Sequence, residues 1–592
     1  MSNSKNNSDA LIQAKHFIQN ETQFHLGILP TEQSNPLTAR VDADFRASTA
    51  GGIRTLQLPD RDVLCMARRV LAGSEFSKLV DSGEKTLRNG GRIIFSGCGA
   101  TGRISILLEA MWRDGVQAVK DHPAIAGGFV NRYGNAVSSI MTGGDYALVR
   151  SVEFFEDYQE FGRRQVQEMN VGANDMLIAI TEGGETSSVL GTVEAAVKLG
   201  APVFLLFNNP AALLCSFLER SRQAITNPGV CVLDLHCGPM AIAGSTRMQA
   251  TTAEQLIAGA ALEIIFSRLL ATDGGLRENQ EILDFGEGFA GVLDQVAGEE
   301  AIKSMAAYID FEAGIYRREG KLTYFADEFL LDIFTDTTER SPTFMLPPFR
   351  KQDDCTSPQS WAFVKNPLYS TQDTWFRCLG GRLPRCLEWS ASDYAEMGAD
   401  ANTAANPPAI HSKEIMKLIV GNEAAPCRIE SPVNAAVLVK LGGENAALDA
   451  AFARAAEPYK ERAALIIGGK PAGFSSYVIP FHTVKTPLRL MEHLALKLVL
   501  NTVSTGTMIC LGRVTGNWMS WVDLSNKKLM DRGTRLLVEL CGLEYADACI
   551  RLFESMEEVK LLPRADRPSV VQHALAKIGS AANPSGLNSR QK

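Results

Sequence analysis

From about residue 51 to 290, short runs that are apolar on both faces alternate with longer stretches of helical period. "RIIFSG", "DMLIAIT", "APVFLLFN" and "GVCVLDL" are such runs, each bounded by Gly, Asn or Asp. Strands buried on both faces and separated by helices predict a parallel sheet covered on both sides. A second, weaker pass of the same kind runs from 291 to 513, with "KLTYFAD", "CRIESPV", "AALIIGG" and "SSYVIPF" as its strands. Between them, 346 to 400 is rich in Pro, Trp and Cys and reads as long irregular loop. Residues 1–50 read as a helical, then extended segment, because two prolines and Asn35 break the period. Residues 514–580 read as mostly helical, and the polar tail 581–592 as disordered. The expected architecture is α/β: two parallel-sheet domains in tandem, 51–290 and 291–513, with a small C-terminal all-helical cap.

Composition narrows the class. The chain has 592 residues, too many for one core, with 45% hydrophobic and 21% charged residues. Its net charge of −8, from 59 basic and 67 acidic residues, argues against a nucleic-acid partner. No apolar run approaches the roughly 18 residues of a membrane span, and the polar start "MSNSKNNSDALIQ" lacks a secretory segment. Twelve cysteines contain no C-x-x-C pair and read as reduced thiols. The expectation is a cytoplasmic protein with no membrane partner.

Four segments carry candidate chemistry. Gly97-Cys-Gly-Ala-Thr-Gly102, between a strand and a helix, points successive N–H groups at one spot and suits an anion. No Gly-Lys-Ser/Thr follows, and no acidic residue ends a strand near 120, so a sugar phosphate fits better than a nucleotide. Gly99, Ala100, Thr101 and Gly102 are its binding candidates. "AITEGGETSSVLGTVEAA" repeats the strand–turn–helix pattern, with Thr181, Gly183, Thr186 and Ser187 in the turn; helix capping is the plainer role of such hydroxyls. Ser245, Thr246 and Arg247 precede a further helix and place a permanent cation beside hydroxyls, or form a structural ion pair. Glu153, Glu156, Asp157 and Glu160 share a helical spacing, which marks a solvated acidic face unless one carboxylate is buried enough to act as a base. No motif calls for a cofactor or a metal.

"TEQSNPLT", "GCGATGR", "TGGDYALVRSVEFFED", "GPMAIAGSTRM" and "LVLNTVSTGTMICLGRVTGNWM" occur in this order across residues 31 to about 535. In this combination the chain resembles the sugar-isomerase (SIS) domain group, in particular the N-acetylmuramic acid 6-phosphate etherases and the double-length glucokinase regulatory proteins. The resemblance implies flavodoxin-like SIS domains in tandem. In the etherases one catalytic glutamate lies in V-E-G-A-E-D, where Glu156 matches, and another in D-A-S-E-C-P-P-T. Met111 stands at that second position in the first half, while Glu339 of "DTTERSPTF" fits it in the second half. Lys497 opens the family's K-L-V-L-N-x-x-S-T-G, whose first-half counterpart is Gln255. The second-half turn, "TYFADEFLLD", has no glycine and carries an acidic pair. The halves therefore look complementary, with one composite site made from the Gly97 turn, Glu156, Glu339 and Lys497. Gly183, Gln249 and Met240 depart from the etherases' Ser, Lys and Glu, so the ligand need not be the family's usual one.

The double-length architecture implies a phosphosugar-binding regulatory protein of carbohydrate metabolism, with a sugar phosphate as ligand and a sugar kinase as partner; the cap is shorter than that reading leads one to expect. The alternative is an etherase-type carbon–oxygen lyase using Glu156 and Glu339. An aldose–ketose isomerase has the fold but no catalytic histidine motif, since His122, His236, His411, His482 and His493 lie outside any.

Overall fold

The computed structural model describes all residues except Met1, Ala124, Ala126, 276–282, 483–484, Ser525, 564–566 and 583–592. The proposed disordered tail therefore lies almost wholly outside the described residues. Two five-stranded parallel sheets are present. The first contains β1 (Ile93–Gly97), β2 (Val137–Met141), β3 (Met176–Ile180), β4 (Val203–Phe207) and β5 (Val230–Asp234), in the order β2-β1-β3-β4-β5. The second contains β6 (Lys321–Phe325), β7 (Ala362–Lys365), β8 (Asn434–Leu441), β9 (Glu461–Ile467) and β10 (Ser476–Ile479), in the order β7-β6-β8-β9-β10. Both follow one plan, the flavodoxin-like order whose ligand crevice lies at the carboxyl ends of the central strands.

Several sequence expectations are corrected. β2 lies in "AVSSIM", whose central serines hide the strand although Ser138 and Ser139 are buried. "CRIESPV" is not a strand: Pro426–Ile429 forms a helical turn, and β8 begins at Asn434, after a second proline. The 346–400 segment is not all loop, since it holds β7 and helices Thr371–Cys378 and Ala391–Glu396. It is also latched to the first half: Arg382 Nε donates to Glu109 at 3.0 Å and the Arg385 amide to Asp145 at 2.7 Å. The cap opens with a two-residue antiparallel hairpin, β11 (Val514–Thr515) with β12 (Trp518–Met519), before its helices.

Five helices position the site: α1 (Ala100–Val119), α2 (Gln249–Thr272), α3 (Leu330–Phe344), α4 (Leu490–Cys510) and α5 (Lys527–Cys541). By plan, α1 and α2 in the first half correspond to α3 and α4 in the second. One hydrophobic core runs through both halves, including Phe95, Trp112, Phe266, Phe334, Trp375 and Leu500. α2 has a mean hydropathy of 1.4 and, among the described residues, is one helix long and apolar enough to cross a membrane; it is a core helix, 72% buried in that stretch. The expectation that no apolar segment reaches that length is corrected accordingly.

"TEQSNPLT" is a clamp. The Thr31 amide donates to Asn209 at 3.1 Å, Thr38 Oγ1 to the Ala241 carbonyl at 2.6 Å, and Asn517 Nδ2 to the Asn35 carbonyl at 3.0 Å. Glu32 accepts from Arg532 at 2.6 Å and Arg535 at 3.0 Å on α5. Burial opposes its charge, but those two guanidiniums hold its carboxyl at about 2. The segment ties α5 against the ends of the first sheet's strands.

Candidate functional site

The Gly97 turn is built for close approach. A Cβ on Gly97 would meet the Thr101 carbonyl at 2.5 Å, and Gly99, the residue before α1, has φ +58° and ψ −124°, a conformation open to glycine alone. Thr101 is turned inward: its Oγ1 accepts from the Cys98 amide at 3.0 Å and donates to the Cys98 carbonyl at 2.8 Å. Gly102 packs against Gly97 and Met141. Ala100 brings the first turn of α1 to a cleft between the halves that is also lined by Arg247, Gln255, Asp336, Glu339, Lys497 and Asn501. Glu339 of the second half and Ala100 at the start of α1 in the first thus line one cleft.

Glu339 is 8% exposed and paired with Arg103 of α1. Arg103 is fully buried and also donates to the Ala147 carbonyl at 2.7 Å and Ser151 Oγ at 3.0 Å. Lys497 Nζ donates to the carbonyls of Arg247 (2.9 Å) and Met248 (3.3 Å) and to Asn501 Oδ1 (2.8 Å), the three acceptors an ammonium requires. Burial, then the neighbouring Arg247 charge, nevertheless draws Lys497 down to about 7. Arg247 is largely spent on structure. It pairs with Asp336 at 3.0 Å and donates to Ser504 (3.0 Å) and Thr505 (2.8 Å), which leaves Nε without a partner. Ser245 Oγ is buried and unpartnered; Thr246, beside it, is half-buried.

Glu156 is not among the residues lining this cleft. The expected acidic helix face does not form, because a 3-10 turn (Glu153–Asp157) ends at Tyr158 and a separate helix starts at Gln159. Glu160, on that helix, is exposed and pairs with Arg163. Glu156 instead meets α5: Asn526 Nδ2 donates to it at 2.9 Å, and Lys528 Nζ lies 3.7 Å from both Glu156 and Glu185. Burial works against the Lys528 charge, but those two carboxylates raise its pKa above the usual lysine range.

The β3 turn is more acidic than its Gly/Ser/Thr composition suggests. The Thr181 and Thr186 hydroxyls bond to each other at 3.0 Å. The Glu185 carboxylate folds over Gly183, so that a Cβ there would sit 2.1 Å from it and the acid would have to swing aside for a serine. Glu182, half-buried at the surface but deep among protein atoms, is pushed up to about 8 by desolvation, with Glu339 and Glu185 adding to the rise and Lys528 opposing it. Glu254, fully buried, is raised well above the carboxylate range by burial and by Glu182, and one of its oxygens has no partner. Charge therefore links Glu156 and Lys528 to Glu339 through this turn. Sequence reading missed Arg103, Glu182, Glu185, Glu254 and Lys528; the paired glutamates of "TEGGET" were the visible signal.

Residues 75–197 match the family described as the glucokinase regulatory protein N-terminal SIS domain. N-acetylmuramic acid 6-phosphate etherase 1 of Bacillus licheniformis is 31% identical over 255 residues, 43% of this chain and 73% of that protein. The chain belongs to this family of SIS-domain proteins. An etherase of Vibrio vulnificus is 30% identical over 235 residues, 40% of this chain and 68% of the relative. Among solved structures, the C-terminal domain of glucosamine-fructose-6-phosphate aminotransferase from Francisella tularensis aligns at a TM-score of 0.43 and 11% identity, covering 77% of this chain and 95% of that one.

The carboxyl at Glu182 carries a stability prediction. Its folded pKa, about 8, is above the usual 4.5, so the folded state keeps a proton that the unfolded chain has lost. Its contribution is intact below about 4.5 and fades as pH rises toward 8, with a slope of at most about 1.4 kcal/mol per pH unit for one proton. Glu182→Gln is expected to flatten the urea-midpoint profile over that window and to raise stability at pH 8. An unchanged profile would remove Glu182 as its source.

Proposed function

We propose that the chain binds a sugar phosphate at the seam between its halves and acts on it as an etherase-type lyase. The observation that carries the reading is Glu339, delivered by α3 to the first turn of α1, at the place the family pattern gives to an acid–base carboxyl. In this chemistry a base takes the proton beside the open-chain aldehyde. The lactyl ether oxygen leaves the neighbouring carbon with its electron pair and receives a proton, and water then adds across the double bond. Groups that titrate near neutrality favour such transfers, and Lys497 and Glu182 both do. The free volume of the cleft, about 20 Å³, is that of one water, so substrate entry requires the seam to open.

Glu156 supports a second reading. It is already engaged by Asn526 and Lys528, so a sugar hydroxyl reaching it would compete with α5. A ligand that displaces α5 would change the outer surface of the C-terminal helices, the kind of change a sugar-phosphate sensor needs.

Incubation with N-acetylmuramic acid 6-phosphate and measurement of D-lactate separates the two. Steady release is expected. No release at high protein concentration, together with saturable binding of the sugar phosphate by calorimetry, would overturn the lyase in favour of the sensor.

A further inference from the structure

The plan that places α3 against the first sheet's crevice also places α1 against the second's. There, at the carboxyl ends of β6 and β7, lies a cavity of about 270 Å³. It is the counterpart of the Glu339 cleft under exchange of the halves. Met111 of α1 lines it where Glu339 of α3 lines the other, and Leu107 and Asp332 line both. Its volume admits a hexose-sized molecule and approaches the lower range of ligand pockets, about 300 Å³.

Its chemistry is the reverse of a phosphate site. The turn after β6 has no glycine; Asp327 and Glu328 stand where the first turn offers N–H groups. The basic side chains around it are committed. Arg489 pairs with Glu328 at 2.9 Å and with Glu492, His493 Nδ1 lies 2.9 Å from Asp332, and Arg377 stacks over Tyr369 at 3.9 Å. Two carboxylates are not. Asp114, exposed at the mouth, accepts no hydrogen bond from any described residue, and Asp327 accepts one, from Asn366 Nδ2 at 3.0 Å, leaving its second oxygen open. Among the described residues no group of His, Cys, Asp and Glu has the geometry to hold a metal ion.

We propose that this cavity is a second ligand site, which takes a small polyhydroxylated molecule carrying a protonated amine. Asp114 and Asp327 receive the ammonium, while Asn366 and Thr374 face the hydroxyls. Unacetylated amino sugars have this size and chemistry. The site shares helices α1, α3 and α4 with the Glu339 cleft but uses none of the residues proposed to act on the sugar phosphate.

Calorimetry on the full chain with D-glucosamine as probe tests this, with N-acetylglucosamine as the neutral control. Saturable binding of one equivalent of glucosamine at millimolar concentration is expected, with N-acetylglucosamine at least tenfold weaker. Asp114→Asn and Asp327→Asn should each weaken glucosamine binding about tenfold without shifting the melting temperature, because Asp114 accepts no hydrogen bond from any described residue and an asparagine at 327 keeps an oxygen to accept from the buried Asn366. Glu339→Gln should leave it unchanged. Equal binding of the neutral sugar, no binding of glucosamine, or indifference to both aspartate variants would overturn the assignment; loss of binding in Glu339→Gln alone would place the amine in the other cleft and overturn it too.

Discussion

Glu339→Gln is expected to lower D-lactate release from N-acetylmuramic acid 6-phosphate by about 10²–10⁴-fold, the usual worth of a positioned acid–base group. The substitution keeps the side chain's shape and a hydrogen-bond acceptor for Arg103, whose other acceptors, the Ala147 carbonyl and Ser151 Oγ, are unaffected. The fold should therefore survive, and the loss should fall on kcat more than on KM. A variant with near-normal turnover would remove Glu339 from the chemistry. If the chain is a sensor instead, the same variant would weaken sugar-phosphate binding and there would be no turnover to lose.

The largest stability effect is expected at Asp336, one turn before Glu339. It is 3% exposed and receives Arg247 of the first half at 3.0 Å, Arg340 at 2.8 Å, and the Ser504 hydroxyl at 2.8 Å. Arg340 in turn donates to Glu312 at 2.6 Å, whose other oxygen accepts from Tyr324 at 2.8 Å. Removing this one carboxylate leaves two buried guanidiniums without their shared counter-ion. Breaking a buried pair from one side costs about 3–5 kcal/mol, because the remaining charge stays desolvated. Asp336→Ala is expected to lose at least that much in urea denaturation, and a loss under about 1 kcal/mol would show that the network relaxes around the gap. Burial opposes the Asp336 charge, but Arg340 and Arg247 hold its pKa below the usual carboxylate value. Its contribution is therefore present at neutral pH and lost as pH falls into the acid range, and the variant should show less acid sensitivity than the parent.

The network also explains why the halves behave as partners. From sequence Arg247 suited either a ligand cation beside Ser245 and Thr246 or a structural ion pair. In the fold its guanidinium crosses the seam to α3 and α4, and the sequence offers no local sign of that. Glu156 is the converse case. Its helical spacing with Glu160 suggested one solvated face, but the break at Tyr158 separates them and hands Glu156 to Asn526 and Lys528, more than three hundred residues away in sequence.

Local pattern alone determined the two α/β passes, the glycine turn before α1 and the lack of glycine after β6; that Met111 stands in place of a glutamate came from the resemblance to the etherases. These are short-range facts: burial on both faces of a strand, φ at Gly99, the identity of one side chain. Among the strands of the two parallel sheets it missed β2, β7 and β8: buried serines mask β2, an adjacent proline masks β8, and β7 is only four residues inside a Pro- and Trp-rich stretch. Tertiary structure alone decided which charges meet. The pairing of Arg103 with Glu339, the insertion of Lys528 between Glu156 and Glu185, and the rise of Glu182 toward neutral pH all depend on desolvation and on separations of a few ångströms between distant segments. A one-dimensional pattern carries neither quantity.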